Sequence, residues 1–353
     1  MPVLARMIPS PVATIVRHGA LDSILDTLAD HRVSTSGRVA AVVSGGSGGA
    51  LRARVGSLLP EADWFTIHDG TLDSAVRLSG ELKSGHYDAV LALGGGKVID
   101  AAKYAAGRLG LPTVACATNL AHDGICSPVS ILDDIGGRSS FGVSCPIAVI
   151  VDLDIIQEAP RRFVSAGIGD LLSNLSAVAD WELSHAETGE ELDGLATAMA
   201  RSAGQSILRH SGTVQSSDFT ALLAEALVIS GISMNIAGST RPSSGACHEI
   251  SHALDTLYPA RRAQHGEQVG LGAAFASYLR GEKELAGDLA QVLGRHGLPT
   301  KASDIGFTGD EFAVAAHYAP NTRPGRYTIL EHIDLGKDDL RGAYEDYLKH
   351  IDV

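Results

Sequence analysis

The stretch YDAVLALGGGKVID (87–100) decides the fold. Its first half is a short apolar run with neither helical spacing nor polar alternation, as expected of a strand buried on both faces. Three glycines end the run, and KVIDAAKYAAGRLG (97–110) then reads as a helix. A strand, a glycine loop and a helix in that order bring backbone N–H groups and the positive helix end to one place. That place suits a pyrophosphate, and glycine lets the ligand approach the backbone closely. The stretch is not GxGxxG, because Ile99 takes the sixth position, and the sequence holds no GK[ST] phosphate loop. A second loop, SGGSGGAL (44–51), misses the same fingerprint at Leu51. Either loop alone is a tight turn; a dinucleotide reading gains from the repeats around them.

Those repeats run through the first 150 residues. RVAAVVSGG (38–46) is a β-branched apolar run that ends in glycine, and ALRARVGSLL follows it as a helix. WFTIHDG reads as a strand, and TLDSAVRLSGELKSG as a helix with Leu72, Ala75 and Val76 on one face. LPTVACAT and IAVIVDL (147–153) are further strands. Alternation at this spacing predicts an α/β, Rossmann-like domain with a parallel sheet. The pattern changes near DIIQEAPRRF, where Pro160 interrupts the chain. Beyond it GIGDLLSNLSAVADWELSHA, RSAGQSILRHSG, DFTALLAEALVISGISMNIAG, ACHEISHALDTL and HGEQVGLGAAFASYLRG all carry helical periodicity. The expected organisation is a dinucleotide-binding domain over 1–155 and an all-α metal- and substrate-binding domain over 156–353.

Composition narrows the function. A formal charge of −13 argues against a broad nucleic-acid surface but leaves room for a local basic pocket for an anionic metabolite. The first twenty residues have prolines at 2, 9 and 11 and no long apolar core, so no signal peptide is expected. No membrane span is expected either. The four cysteines, Cys116, Cys126, Cys145 and Cys247, form no CxxC pair and read as reduced thiols of a cytoplasmic protein. Cys247 stands beside a histidine, which also makes it a candidate metal ligand.

Four residues in the helical half have metal or substrate chemistry. HEISH (248–252) puts His248 and His252 on one helical face, an arrangement that can hold a metal. Asp170 in GIGDLL falls at an expected helix start, where an N-cap is the plain alternative. His265 opens HGEQVG. An Asp and two His leave positions open for a substrate oxygen, as a catalytic metal requires. HExxH also marks zinc proteases. The extended protease form needs Gly at 255 and His at 258, where this chain has Asp255 and Tyr258. A nucleotide-type α/β domain has no role in a peptidase.

GGGKVIDAAK, AHDGICSP, GIGDLLSNLSAVADW, RPSSG, CHEISHALD, HGEQVGLG and RPGRYTILEH occur in this order. With them the chain resembles the sn-glycerol-1-phosphate dehydrogenase family from about residue 10 to about 345. That family groups with glycerol dehydrogenase, iron-containing alcohol dehydrogenases and dehydroquinate synthase. The resemblance implies a dehydroquinate synthase-like fold and an NAD(P)-dependent oxidoreductase that interconverts dihydroxyacetone phosphate and sn-glycerol 1-phosphate. It implies NAD or NADP, one divalent metal per subunit with zinc favoured, a small polyol phosphate or ketone substrate, and a homo-oligomer.

Residue by residue, Gly94, Gly95, Gly96, Lys97 and Val98 would form the pyrophosphate loop, with Asp100 anchoring it. Thr118, Asn119, Leu120, Ala121 and Ser127 would line the cofactor site. Asp170, His248 and His265 would hold the metal. Asp123 and His252 would contact substrate hydroxyls and handle the proton, Asp170 would also touch substrate, and Glu249 would be no catalytic base. Asn119 and Leu120 are bulkier than the family pattern, and Val129 stands where Arg is frequent. Arg241, Arg323 and Arg326 are alternative phosphate anchors, though a solvated role is open to each. The competing readings are the same hydride chemistry on another polyol, a dehydroquinate-synthase-like cyclase and a nucleotide-binding protein without catalysis. The cyclase branch has Glu as its first metal ligand, and Asp170 speaks against it.

Overall fold

The computed structural model describes residues 8–352 apart from 136 and 262. They form two compact units that divide between Ala159 and Pro160. The division lies at Pro160, a few residues beyond the expected 155/156. The short helix Leu153–Glu158 therefore stays with the first unit.

In the first unit the strands are β1 (Ala13–Arg17), β2 (Val39–Ser44), β3 (Asp63–Ile67), β4 (Ala89–Gly94), β5 (Thr113–Ala117), β6 (Val129–Asp134), β7 (Gly137–Gly142) and β8 (Ala148–Asp152). The helices are α1 (Ile24–Ala29), α2 (Gly48–Val55), α3 (Leu72–Leu82), α4 (Gly96–Gly107) and α5 (Leu153–Glu158). Six strands make one sheet in the order β1-β8-β5-β4-β2-β3, and every pair in it is parallel. Every residue of β4, β5 and β8 is buried, which is why these strands are continuously apolar instead of alternating. From β2 the chain moves outward to β3, then returns to β4 on the other side of β2. That reversal makes the carboxyl ends of β2 and β4 the topological switch point, where open α/β sheets bind ligands. Both glycine loops, 44–49 and 94–96, leave the sheet there.

Three features of this unit differ from the sequence reading. β1 was not anticipated; its short run lies just past the prolines and gains its place by pairing with β8. β6 and β7 form a separate antiparallel ribbon, whose inward residues Ser130 and Leu132 carry too little apolar signal to stand out. On α3 the buried apolar residues are Ala75, Leu78 and Leu82, whereas Val76 is 39% exposed. The face is thus rotated from the expected one, because a helix packs through whichever stripe covers the sheet and tolerates an apolar residue outside it.

The second unit is helical: α6 (Arg161–Thr188), α7 (Gly194–Arg209), α8 (Ser217–Ala237), α9 (Ala246–Leu257), α10 (His265–Leu279), α11 (Lys283–Arg295), α12 (Gly309–Tyr318), α13 (Ile329–Ile333) and α14 (Lys337–Ile351). Asp170 does not sit at a helix start; it lies inside the 28-residue α6, which begins directly after Pro160. A capping role is therefore excluded. Among the described residues α8 alone is long and apolar enough to cross a membrane, but 67% of its most apolar window is buried within the protein. It is a core helix.

Candidate active site

In the first unit the β4–α4 turn is shaped by glycine at each step. A methyl on Gly94 would come within 2.7 Å of Val98 Cβ. Methyls on Gly95 and Gly96 would run into the amide of Asn119 and the ring of His122. The loop therefore lies against the segment that follows β5, so Asn119 packs beside Gly95. Thr118 N donates to Gly94 O at 3.1 Å and Ala121 N to Asn119 Oδ1 at 3.3 Å, which ties that segment to the loop. No side chain caps α4 at Gly95, which leaves its positive end open. Lys97 is exposed, Val98 is buried beneath the loop, and Leu120 is fully buried.

Lys103 is a contributor that the sequence reading missed. Its side chain is completely buried, pairs with Asp100 at 3.1 Å, and donates to the carbonyls of Gly124 (2.8 Å), Ser127 (3.2 Å) and Val129. The amine pins the segment that carries Asp123 and Ser127. Asp100 thus works through Lys103, and the Ser127 hydroxyl donates to Val129 O at 3.1 Å. Asp123 opens the single turn Asp123–Ile125, and its carbonyl accepts from Cys126 N (3.0 Å) and Ser127 N (3.1 Å). The available signal was the i,i+3 spacing of Asp100 and Lys103 on an otherwise apolar helix. His122 is a second omission; its Nδ1 accepts from Gly124 N at 3.0 Å.

In the second unit three helices bring Asp170 (α6), His248 (α9) and His265 (α10) together, with one ligand atom from each within 4.8 Å of the others. His248 Nε2 and His265 Nε2 are 3.2 Å apart, and His265 Nε2 lies 3.7 Å from Asp170 Oδ1. Glycines make the convergence possible. A methyl on Gly169 would strike Gly266 O, and one on Gly266 would strike Ala166 O, so α6 and α10 cross backbone against backbone. A methyl on Gly272 would reach within 2.8 Å of Cys247 O, so α10 and α9 approach as closely. These are the glycines of GIGD and HGEQVGLG. The crossing also explains why His265, at the first position of α10, points at Asp170 in mid-helix.

The cluster fits a divalent cation. Ligands about 2.1 Å from zinc at tetrahedral angles stand roughly 3.4 Å apart, close to the separations found here. Burial, then the charges of His265, His252, Arg323 and Arg326, push the pKa of His248 well below 6.5. Its imidazole is thus neutral and able to ligate. Cys247 is not part of the cluster; its sulfur is 3.4 Å from His248 Nδ1, the other ring nitrogen, and burial holds the thiol protonated.

The remaining residues of HEISH have other partners. Glu249 is fully buried, accepts from Thr328 Oγ1 at 3.1 Å, and its pKa is pushed up to about 8, chiefly by burial. It is a core residue. His252 Nε2 meets Arg323 Nη2 at 3.1 Å. The three arginines also separate. Arg241 is saturated by Glu190, Ser184 and Tyr327 O, and Arg326 is fixed to Ser244 O and Thr240 Oγ1. Arg241 is buried and Arg326 half-buried, and burial is what pushes the guanidinium of Arg326 down to about 10.

Residues 15–160 match the family model described as iron-containing alcohol dehydrogenase. Glycerol-1-phosphate dehydrogenase [NAD(P)+] of Hyperthermus butylicus is 36% identical over 91% of this chain and 92% of its own. Its counterpart in Thermococcus kodakarensis is 37% identical over 79% of this chain and 78% of its own. A crystal structure of a probable glycerol dehydrogenase from Sinorhizobium meliloti superposes with a TM-score of 0.78 at 23% identity, covering 99% of this chain and 100% of that one. Glycerol dehydrogenase of Schizosaccharomyces pombe gives the same TM-score at 21% identity, over 99% of this chain and 91% of that one. The structural likeness shows a shared fold, and the curated relatives, more than a third identical over most of the chain, show the lineage: this chain belongs to the glycerol-1-phosphate dehydrogenase family of oxidoreductases.

Proposed function

We propose that the protein is an NAD(P)-dependent dehydrogenase that interconverts dihydroxyacetone phosphate and sn-glycerol 1-phosphate with one zinc ion held by Asp170, His248 and His265. The observation that carries this reading is the convergence of those three side chains from three helices in a chain of this family. A zinc ion there supplies Lewis acidity to the substrate C2 oxygen. The protein residues do the rest. The open end of α4 and the amides of Gly94, Gly95, Gly96 and Lys97 would receive the cofactor pyrophosphate at the switch point. Val98 and Asp100 support that loop from below, and Thr118, Asn119, Leu120, Ala121 and Ser127 shape the wall beside it.

His252 and Asp123 bind the substrate hydroxyls and carry the proton. A guanidinium only donates, so in the contact between them Arg323 Nη2 is the donor and His252 Nε2 the acceptor. A bound nicotinamide would supply or take up the hydride at substrate C2, and the protein contributes alignment. Reduced thiols and nicotinamide chemistry suit a cytoplasmic setting.

The test is oxidation of NADH or NADPH, followed at 340 nm, by zinc-loaded protein. Dihydroxyacetone phosphate, dihydroxyacetone and glyceraldehyde 3-phosphate would be compared as substrates. Chelator-sensitive turnover with dihydroxyacetone phosphate is expected. His265→Ala should lose both bound metal and turnover; full activity with an empty site would overturn the reading.

A further inference from the structure

Arg323 stands apart from the other arginines of the second unit. It is partly buried, yet its one side-chain hydrogen bond among the described residues goes to His252, and it forms no ion pair with a carboxylate among them. A cation withdrawn from water is costly unless it is paired, and here the hydrogen-bond partner is an imidazole and not a carboxylate. Arg326 adds a second positive charge whose position is fixed by Ser244 O and Thr240 Oγ1. His252, which Arg323 contacts, stands one turn from His248 on α9. Neither Arg323 nor Arg326 forms an ion pair with a carboxylate among the described residues. Arg241 is excluded, because Glu190 neutralises it and its donors are occupied.

We propose that Arg323 is the residue that reads the phosphate group of the substrate, with Arg326 fixed nearby as a second positive charge. The inference rests on the dehydrogenase reading above and names the specificity determinant of the same site. A guanidinium presents a planar fork that matches phosphate oxygens bidentately, and only one arm of Arg323 is engaged. The spacing also fits. His252 lies one helical turn, about 5.4 Å, from His248. The phosphorus of dihydroxyacetone phosphate is three bonds from C2, so a substrate with its C2 oxygen at the metal cluster extends its phosphate over a similar distance.

The experiment compares wild type, Arg323→Gln and Arg323→Lys as metal-loaded full chains. Calorimetric titration with inorganic phosphate gives the first readout. The ratio of kcat/KM for dihydroxyacetone phosphate to that for dihydroxyacetone gives the second. Loss of charge-assisted hydrogen bonds should weaken phosphate binding by about tenfold to a hundredfold in Arg323→Gln. The substrate ratio should fall by a similar factor, mainly through KM. Arg323→Lys keeps the charge without the fork and should fall in between; it decides the matter if the glutamine variant does not fold. Unchanged phosphate affinity, or an equal loss for both substrates, would overturn the proposal. If wild type reduces neither substrate the dehydrogenase reading fails, while the phosphate titration still judges Arg323.

Discussion

Glu249 shows at the scale of one residue how a motif misleads. In a zinc protease the Glu of HExxH must face a metal-bound water. Here it is buried against Thr328, with one oxygen unpartnered among the described residues. Glu249→Gln should therefore keep most of the turnover with dihydroxyacetone phosphate, within about threefold, since a neutral isostere changes nothing in the chemical step. A loss of two orders of magnitude in kcat would return Glu249 to the mechanism. His296 makes a second residue-scale prediction. Its ring stacks on Phe219 (centroids 5.0 Å, 16°), and both nitrogens lack partners among the described residues. Burial lowers its pKa from 6.5 to about 4. The folded state then binds fewer protons than the unfolded chain between those values, so this residue costs stability as pH falls from 6.5 towards 4. His296→Leu should flatten that part of a Tm-versus-pH curve; an unchanged slope would rule His296 out as its source.

At the scale of elements, the site is made by how closely helices cross. Alanine normally improves a helix by about 0.5–1 kcal/mol over glycine. At Gly266 the added methyl would meet the backbone of α6, and overpacking of this kind costs about 1–3 kcal/mol or more. The clash wins because a backbone cannot rotate aside as a side chain can. Gly266→Ala should thus lower stability by about 2 kcal/mol net in denaturant unfolding and weaken metal binding with it. A stabilised variant with normal metal affinity would refute the crossing as the cause. Asp180 serves α9 in a related way. It is fully buried in α6, accepts from Ala246 N (2.8 Å) and Ile329 N (2.9 Å), and pairs with Arg280 (2.6 Å). A distant carboxylate thus caps the helix that carries His248, in place of a local Ser or Thr.

At the scale of the whole molecule, each of the two units should answer its own proposed ligand. Zinc at one hundred times its Kd adds about 2.7 kcal/mol to the unit that binds it. Hydrogen exchange should then slow in α6, α9 and α10, while NADH should protect the β4–α4 turn. Zinc protection of α4 alone would contradict the assigned metal site.

The sequence by itself determined the fold class, the strand–loop–helix order around GGGKVID and most helices of the second unit. These are local matters: buried parallel strands are continuously apolar, and a glycine cluster after such a strand has few other uses. The three residues of the metal cluster were legible as residue types in a known order. Their convergence was not, because it depends on glycines of α6 and α10 meeting across a hundred residues. Tertiary structure alone moved Asp170 from a helix start to mid-helix, turned α3 to bury Leu78 instead of Val76, and set β1 beside β8. It also assigned the polar residues by their partners. Lys103, Glu249 and Arg241 are ordinary charged letters in sequence; burial and bonding make the first a pin, the second a core acid and the third a closed ion pair. Arg323 forms no ion pair with a carboxylate among the described residues, and only the packed chain decides where a counter-charge is missing.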